Sequence, residues 1–179
     1  MDITMATPRG TLTLRPAVEE DIVPLRDLRL EALRTHPTMF SADFTTHFDQ
    51  PMPFWTEWMQ QRTSARAGII QVAGAEQNLV GMSGLHRQDA PKTRHSGTIW
   101  GVYVRPDWRG LQIAERLIAE CMAWARTQQM RLVKLSVVTT NTVAIRCYTR
   151  CGFTVYGLDP QAIHYNGVYY DELLMARQL

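Results

Sequence analysis

The segment VRPDWRGLQIAERLI, residues 104–118, carries residue types that could bind a phosphorylated ligand. A strand-like end and a proline turn give way to Arg109, Gly110 and then a helical pattern. The first N–H groups of a helix have no partner within it and lie at the positive end of its dipole, so such a loop suits a phosphate or diphosphate. Taken alone, the segment also fits a plain turn into a helix. It matches neither G-x-G-x-x-G nor the Gly-Lys-Ser/Thr of a P-loop.

The elements around this loop predict a crossover between two parallel strands. Residues 95–104 are β-rich, apolar positions between Ile113 and Ala125 form a helical stripe, and residues 131–138 alternate as a strand does. A strand–helix–strand unit of this length joins parallel strands, whereas the hairpins around it are antiparallel. We therefore expect a mixed sheet.

The other segments complete the predicted order of elements. Residues 11–22 indicate a strand and then an acidic helix start, with Pro24 in the first turn of an amphipathic helix. Residues 36–53 are expected to be irregular and to lead into a short helix at residues 54–62. Further strands are predicted at 68–74 and 78–86 (a hairpin around AEQ), 153–157 and 168–179, and a further helix at 141–153 that ends at Gly152.

Length and composition favour one domain spanning residues 1–179, because 179 residues with 45% hydrophobic content can bury one sizeable core. The scattered charges, 19 Lys+Arg against 17 Asp+Glu, give no basic surface for nucleic acid or for an anionic membrane. No apolar run approaches the roughly 20 residues of a membrane span, and the N-terminus has no signal-like core. We expect a soluble, cytoplasmic protein without nucleic-acid or membrane partners.

The cysteines and histidines predict neither a disulfide framework nor a metal site. The three cysteines, Cys121, Cys147 and Cys151, are odd in number, and two of them are four residues apart in a helical pattern. Reduced, buried thiols explain them better than disulfides do. None of the five histidines has a ligand-spaced partner, so no metal is implied.

A second motif follows the loop at a fixed distance. Asn141, Ala144, Tyr148, Gly152 and Phe153 stand as N-x-x-A-x-x-x-Y-x-x-x-G-F. Together, VYVRPDWRGLQIAERLI and NTVAIRCYTRCGF resemble the GNAT superfamily of acetyl-CoA-dependent N-acetyltransferases. The resemblance covers roughly residues 98–156, and the N-terminal third agrees only in its order of strand, helix, helix and hairpin.

The resemblance implies an α+β (mixed α/β) fold of GNAT type. Its central sheet would be mixed but mostly antiparallel, with about six to seven strands, splayed parallel fourth and fifth strands, and about four flanking helices. Acetyl-CoA, the cosubstrate, would place its pantetheine arm between the splayed strands. Backbone groups of Val102, Tyr103 and Val104 would pair with the pantetheine amides, and the diphosphate would contact Arg109, Gly110, Leu111, Gln112, Ile113, Ala114 and Glu115.

Gln112 departs from the family motif. The motif usually reads Q/R-x-x-G-x-G/A, and here it stands as Arg109-x-x-Gln112-x-Ala114. Glycine at this position lets the backbone come close to the phosphates. We expect the Gln112 side chain to point into solvent and its φ to be negative, as an L-residue prefers.

Acetyl transfer to an amine requires proton transfers at two places. An alkyl amine has a reference pKa of about 10 and a thiol one of about 8.5, so the amine arrives charged and the thiolate leaves needing a proton. By the resemblance, Tyr148 is the general acid. Asn141 would bind the pantetheine or position water, although Asn is also a good helix N-cap.

The general base has no clear candidate. Neither residues 98–104 nor residues 131–138 contain an acid, and Ser136 stands where one would be expected from the family. Deprotonation through water, aided by backbone carbonyls, is therefore the expected route. Candidates outside these strands, each better suited to a surface or structural role, are His86, His95, Asp171 and Glu172.

The resemblance places the acceptor pocket near residues 36–58 and 158–170. The aromatic residues there would form either a wall of this pocket or part of the core, and three acids, Asp43, Asp49 and Glu57, could attract a cationic amine. The aromatic residues in question are Phe40, Phe44, Phe54, Trp55, Trp58 and Tyr165.

The resemblance implies transfer of the acetyl group of acetyl-CoA to a primary amine of a small molecule or a protein, by direct attack in a ternary complex. The alternative is a non-catalytic acyl-CoA-binding or sensing module, which the missing carboxylate and Gln112 favour and Tyr148 opposes. The family resemblance is compatible with a homodimer.

Overall fold

The computed structural model describes residues 2–64, 67–75 and 78–179. Two short 3-10 turns, Glu19–Asp21 and Pro106–Trp108, precede α1 and the loop before α4. The helices are α1 (Ile22–Thr35), α2 (Phe44–Phe48), α3 (Met52–Thr63), α4 (Ile113–Thr127) and α5 (Thr142–Arg150). The strands are β1 (Ile3–Thr7), β2 (Gly10–Pro16), β3 (Gly68–Ala75), β4 (Asn78–Arg87), β5 (Ser96–Val104), β6 (Leu132–Val138), β7 (Thr154–Tyr165) and β8 (Val168–Gln178).

All of these strands belong to one mixed sheet with the order β1-β2-β3-β4-β5-β6-β8-β7. Only β5 and β6 pair in parallel; the other pairs among the described residues are antiparallel. The predicted mixed sheet and the crossover through α4 are confirmed. The tip of the predicted β3–β4 hairpin includes residues 76 and 77, which lie outside the described residues.

The described residues contain eight strands and five α-helices, one more of each than the sequence predicted. The additional strand, β1, is short and mostly exposed at the edge of the sheet. The additional helix, α2, has no buried residue and starts at Asp43, whose carboxylate accepts a hydrogen bond from the N–H of Thr46 at 3.1 Å. At five residues each, both elements are too short to give a clear periodic signal.

The helices pack against both faces of the sheet. Ile70 and Val72 of β3 join the cluster formed with α1 and α3, whereas Ala73 joins a cluster with α4. Successive residues of a strand point to opposite faces, so α1 and α3 lie on one face and α4 on the other. Pro24 is the third residue of α1 and lies in its first turn, as predicted.

The core side of α4 is the apolar stripe that the sequence predicted. Its five predicted positions, Ile113, Leu117, Ile118, Cys121 and Ala125, are each no more than 2% exposed. Full burial of one such leucine or isoleucine side chain contributes about 1.5–3 kcal/mol. This stripe fixes the rotation of α4 against the sheet and hence the direction in which its N-terminus points.

Strands β5 and β6 separate soon after they begin. Their parallel pairing runs only from Ser96–Leu132 to Thr98–Lys134. Beyond it, β5 stays paired with β4 but has one extra residue around Gly101, whose φ is +62°. A bulge of this kind bends the strand that carries it. The predicted splayed pair is therefore β5 and β6, which are the fifth and sixth strands because β1 adds one to the count.

The cysteines are free thiols: Cys121 and Cys147 are buried and Cys151 is partly buried. Among the residues that the structure describes, no helix is both long and apolar enough to cross a membrane.

Candidate active site

A cleft of about 640 Å³ opens where β5 and β6 separate. Its walls are the facing parts of these strands, the turn before α4 and the exposed side of α5. Lining residues are His36, Met39, Phe40, Ile99, Trp100, Gly101, Val102, Tyr103, Val104, Trp108, Arg109, Gly110, Gln112, Ile113, Ala114, Glu115, Leu135, Ser136, Val137, Asn141, Val143, Ala144, Cys147, Tyr148 and Arg150.

One end of the cleft is the turn that leads into α4. Gly110 has φ +80° and Gln112 has φ +59° and ψ +22°, so both lie in the left-handed region. The prediction of a negative φ at Gln112 was therefore wrong: a short reversal between the 3-10 turn and α4 demands the conformation that glycine adopts most readily. The expected exposure of Gln112 is confirmed.

This end of the cleft has the chemistry of an anion site. The first intrahelical hydrogen bond of α4 runs from Arg116 N to Gln112 O at 3.1 Å, so the N–H groups of residues 113–115 have no carbonyl partner within the helix. Arg109 stands beside them, with its Nε donating to Val104 O at 3.0 Å and its Nη2 3.2 Å from His36 Nε2. The pKa of His36 is held below its usual value, first by burial and then by the Arg109 charge.

The carboxylate nearest to these N–H groups has its own cationic partner. Glu115 Oε1 lies 2.5 Å from Arg150 Nη2 and 3.2 Å from Arg150 Nε. This ion pair joins the start of α4 to the end of α5. It also reduces the repulsion that a free carboxylate would exert on a bound diphosphate.

The opposite wall is α5, which presents Asn141 and Tyr148. The Asn141 side chain accepts a hydrogen bond from Ala144 N at 3.1 Å and so caps the helix. Tyr148 is 8% exposed, and its ring packs edge-on against Phe153 with centroids 6.3 Å apart. Burial raises the Tyr148 pKa well above its usual value, so the phenol keeps its proton at neutral pH.

The structure brings nearly all of the predicted site residues to this cleft. The exception is Leu111, whose side chain packs against a core cluster that includes Val104 and Ile113. Ser136 lines the cleft and is exposed, and the described parts of β5 and β6 carry no acid.

A second cavity of about 470 Å³ lies beside the cleft, and Trp100 lines both. It is half-closed and lined by side chains from α1, the following loop, α2 and α3, together with β4 and β5. The lining residues are Arg29, Ser41, Ala42, His47, Trp58, Gln61, Arg62, His86 and Trp100. We call it the basic pocket, because no Asp or Glu is among the described residues that line it.

The predicted acids do not reach the basic pocket. Asp43 caps α2, Asp49 follows that helix, and Glu57 accepts a hydrogen bond from Gln61 Nε2 at 2.9 Å on the exposed side of α3. None of the three acids is among the described residues that line this pocket, so their role in attracting a cationic amine stays a prediction. Helical spacing could not show which way these side chains point relative to β4 and β5.

The predicted aromatic wall is split between cavities and core. Phe40 lines the cleft and Trp58 lines the basic pocket, whereas Trp55 is 1% exposed and belongs to the core. Phe54 also packs against the core, and Tyr165 ends β7. Phe44 lies against Phe48 of α2 with centroids 5.2 Å apart.

Of the candidate bases, only His86 lines a cavity described here. Burial and then the Arg62 charge lower its pKa, while Asp89 acts in the opposite direction. Asp171 accepts a hydrogen bond from Gln161 N at 2.8 Å, and His95 lies on an exposed loop.

Sequence reasoning missed three residues at these cavities: Arg29, Arg62 and Trp100. A signal existed for Arg29, because it falls among Leu25, Leu28, Ala32 and Leu33 on the apolar side of α1. A charged residue in that position predicts either a buried ion pair or a binding site. No cluster of three or more potential metal ligands occurs among the described residues.

Solved structures share this fold. An acetyltransferase of the GNAT family from Streptococcus pneumoniae superposes with a TM-score of 0.82 at 21% identity, covering 94% of this chain and 99% of that one. The yncA protein of Salmonella typhimurium, solved with its cofactor acetyl-CoA, gives a TM-score of 0.82 at 21% identity over 94% of both chains.

Sequence comparison adds relatives with stated activities. The chain is 31% identical over 132 residues to the L-amino acid N-acetyltransferase AaaT of Escherichia coli K12, covering 71% of this chain and 78% of the relative. It is 28% identical over 109 residues to a streptothricin acetyltransferase of Escherichia coli, covering 60% and 59% of the two chains. The acetyltransferase (GNAT) family model matches residues 27–153, from α1 through both motifs to the end of α5. A cleft between splayed strands, an open helix N-terminus and this match together show that the chain belongs to the GNAT family of acetyltransferases.

Proposed function

We propose that residues 1–179 act as one N-acetyltransferase unit that moves the acetyl group of acetyl-CoA to a primary amine. The observation that carries the proposal is the cleft itself. It unites an anion site, strand edges open to hydrogen bonding and a buried phenol within one cavity. These groups suit a long ligand with a diphosphate, amide groups and a thioester.

Three groups of residues would hold acetyl-CoA. Residues 113–115 offer backbone N–H groups to the diphosphate, and Arg109 adds a positive charge. The edge of β5 at residues 102–104 faces the gap beyond the last β5–β6 pair, so its backbone can bond pantetheine amides as an added strand would. Asn141 caps α5, which leaves its amide nitrogen available to the ligand or to water.

Acetyl-CoA supplies an activated acetyl thioester, and Tyr148 supplies the proton for the departing sulfur. Its raised pKa keeps the phenol protonated at neutral pH, so the O–H is present to donate to the sulfur as the C–S bond breaks, and a proton released by the attacking amine through water restores the phenol. The described part of the cleft lining offers no other neutral O–H donor on an aromatic ring except Tyr103, whose hydroxyl donates to Glu31 Oε1 at 2.9 Å.

The amine would lose its proton through water in the basic pocket. No carboxylate lines this pocket among the described residues, and the two guanidinium groups disfavour a charged amine. His86 is the one candidate base that lines the pocket, and its lowered pKa leaves the imidazole neutral, so it can accept a hydrogen bond from that water. The amine would then attack the thioester carbonyl directly, in a ternary complex.

The names of the relatives suggest small-molecule acceptors, with an L-amino acid as the first class to test and an antibiotic amine as the second. The test is release of free CoA thiol from acetyl-CoA in the presence of a panel of amines, with identification of the acetylated product by mass spectrometry. An amine-dependent release supports the proposal.

A non-catalytic acyl-CoA-binding module remains the second candidate, favoured by the lack of an acid on the described parts of β5 and β6. Binding of acetyl-CoA without amine-dependent CoA release from any member of the panel would select this module and overturn the enzyme.

A further inference from the structure

The basic pocket contains a buried cation without a counter-ion. Arg29 is 8% exposed, and its Nε has no hydrogen-bond partner among the described residues. The four ion pairs of the described structure involve other arginines. A buried charge that lacks a partner is costly, and proteins keep such groups where a ligand completes them.

A second guanidinium lies close to the first. Arg62 stacks on Trp58 at 4.7 Å and on Trp100 at 5.7 Å, and its Nη1 donates to Trp58 O at 3.0 Å. Burial and, second, the charge of Arg62 together lower the Arg29 pKa to about 10. Two like charges held together in one half-closed pocket attract an anion.

The pocket adjoins the cleft at the bulge of β5. A β-carbon at Gly101 would lie 3.4 Å from Arg29 Nη1, and Gly101 itself lines the cleft. Trp100 lines both cavities. An anion held by Arg29 would therefore place the rest of a short molecule towards the cleft. The pocket volume of about 470 Å³ is in the range of small-molecule sites.

We propose that the basic pocket binds a carboxylate of the acceptor, with Arg29 as its main contact and Arg62 as its second. The preferred acceptor is then a small molecule that carries both an amine and a carboxylate. A guanidinium fork matches the two oxygens of a carboxylate, and this pairing selects against amides and simple amines. The inference rests on the proposed function, because it names the substrate class of the same site.

The test compares acceptors that differ only in the anion. Initial rates are measured with acetyl-CoA and apolar L-amino acids, each beside its carboxamide and its decarboxylated amine, for example leucine, leucinamide and 3-methylbutylamine. We expect kcat/KM for the amino acid to exceed that for the amide by at least about tenfold, as removal of a charge-assisted pair does. The amine of the amide loses its proton more readily, so this preference cannot arise from amine reactivity.

The variants are Arg29→Gln and Arg62→Gln, with Arg26→Gln as the matched control. Arg26 is on the same helix as Arg29 but pairs with the exposed Asp27 at 2.7 Å. Arg29→Gln should raise KM for leucine about tenfold or more, change the rate with leucinamide much less and preserve acetyl-CoA binding. Arg26→Gln should resemble the wild type. If Arg29→Gln does not fold, Arg29→Lys and Arg62→Gln provide the same comparison.

Each outcome has a separate meaning. Equal rates for leucine and leucinamide in the wild type, with acetylation of both, would overturn the carboxylate site and leave the acetyltransferase intact. A tenfold preference for the phosphonate analogue of leucine would also overturn the carboxylate assignment. If no amine is acetylated, the proposed function is wrong, and a ligand-binding measurement then tests the carboxylate site by itself. A rise in melting temperature with 4-methylpentanoate but not with 4-methylpentanamide, lost in Arg29→Gln, supports the carboxylate site. No rise with 4-methylpentanoate overturns it.

Discussion

Tyr148 illustrates how burial prepares a single side chain for one proton transfer. Its ring is enclosed against Phe153, and the raised pKa keeps the hydroxyl protonated in a site where a thiolate is the natural acceptor. Substitution Tyr148→Phe removes the proton donor and changes little of the packing. We expect kcat to fall by roughly 10²-fold with acetyl-CoA affinity nearly unchanged.

Steady-state kinetics and calorimetric titration of the Tyr148→Phe protein measure the two quantities. An unchanged kcat would show that another group donates the proton or that chemistry is not rate-limiting.

The pKa of His86 makes the stability of the protein depend on pH. Its pKa is lower in the folded protein than the reference value of about 6.5, because of burial and then Arg62. As the pH falls below 6.5, the unfolded chain takes up the proton first, so the free energy of unfolding decreases until the pH passes the folded-state pKa. Above pH 6.5 the imidazole is neutral in both states and contributes no pH dependence.

Urea unfolding at pH 7.5 and pH 5.5 tests this prediction. His86→Gln should lose less stability between the two values than the wild type does, whereas His95→Gln, on an exposed loop, should behave as the wild type. An identical loss in the wild type and in His86→Gln would contradict the pKa assignment.

At the scale of an element, the turn before α4 carries a conformational cost. An L-residue in the left-handed region costs about 1–2 kcal/mol. Glycine avoids this cost, but ordering its more flexible backbone costs about 0.5–1 kcal/mol. Gln112→Gly should therefore stabilise the fold by about 0.5–1 kcal/mol, measured by urea unfolding.

Two further glutamines provide matched controls for this effect. Gln129 has φ +56° and is not among the residues that line the cleft, so Gln129→Gly should stabilise the fold and leave acetyl-CoA affinity unchanged. Gln128 has φ −87°, so Gln128→Gly should destabilise it. A destabilised Gln112→Gly protein would mean that the glutamine side chain stabilises the turn by another route.

Acetyl-CoA binding at the same turn should tolerate a change of the residue 112 side chain but not an added negative charge. If backbone N–H groups bind the diphosphate, Gln112→Gly should change acetyl-CoA affinity by less than about tenfold. Gln112→Glu should weaken it more, and high ionic strength should reduce the difference, because salt screens the repulsion. Calorimetric titration of CoA at two salt concentrations measures this. Equal affinities for the wild type and Gln112→Glu at low salt would place the diphosphate elsewhere.

At the scale of the whole molecule, acetyl-CoA would contact elements that are far apart in the sequence. Its proposed contacts lie on β5, on α4 and on α5, and a ligand that binds only the folded state stabilises it. At a hundredfold excess over Kd the gain is about 2.7 kcal/mol, which appears as a rise in melting temperature. Adenosine at the same concentration, which lacks the diphosphate and the pantetheine, is the control. No shift with saturating acetyl-CoA would contradict the assignment of the cleft.

The sequence by itself determined the periodic elements and the two local motifs. The stripe of α4 and the cap at Asn141 follow from spacing and residue type, because each depends on neighbours within one or two turns. The crossover between β5 and β6 follows from the order and length of the elements. β1 and α2 escaped prediction because each is only five residues long, too short for a periodic pattern. The left-handed φ of Gln112 escaped it because the side chain gives no sign of what the turn requires.

Only the tertiary structure decided the charge of the second cavity. Arg29, Arg62 and His86 come from α1, α3 and β4, and no spacing along the chain relates them. The sequence offered Asp43, Asp49 and Glu57 for a cationic amine, yet packing turns these acids outward and two guanidinium groups inward. Electrostatics depends on distance through space and on burial, and both quantities exist only once the helices have packed on the sheet.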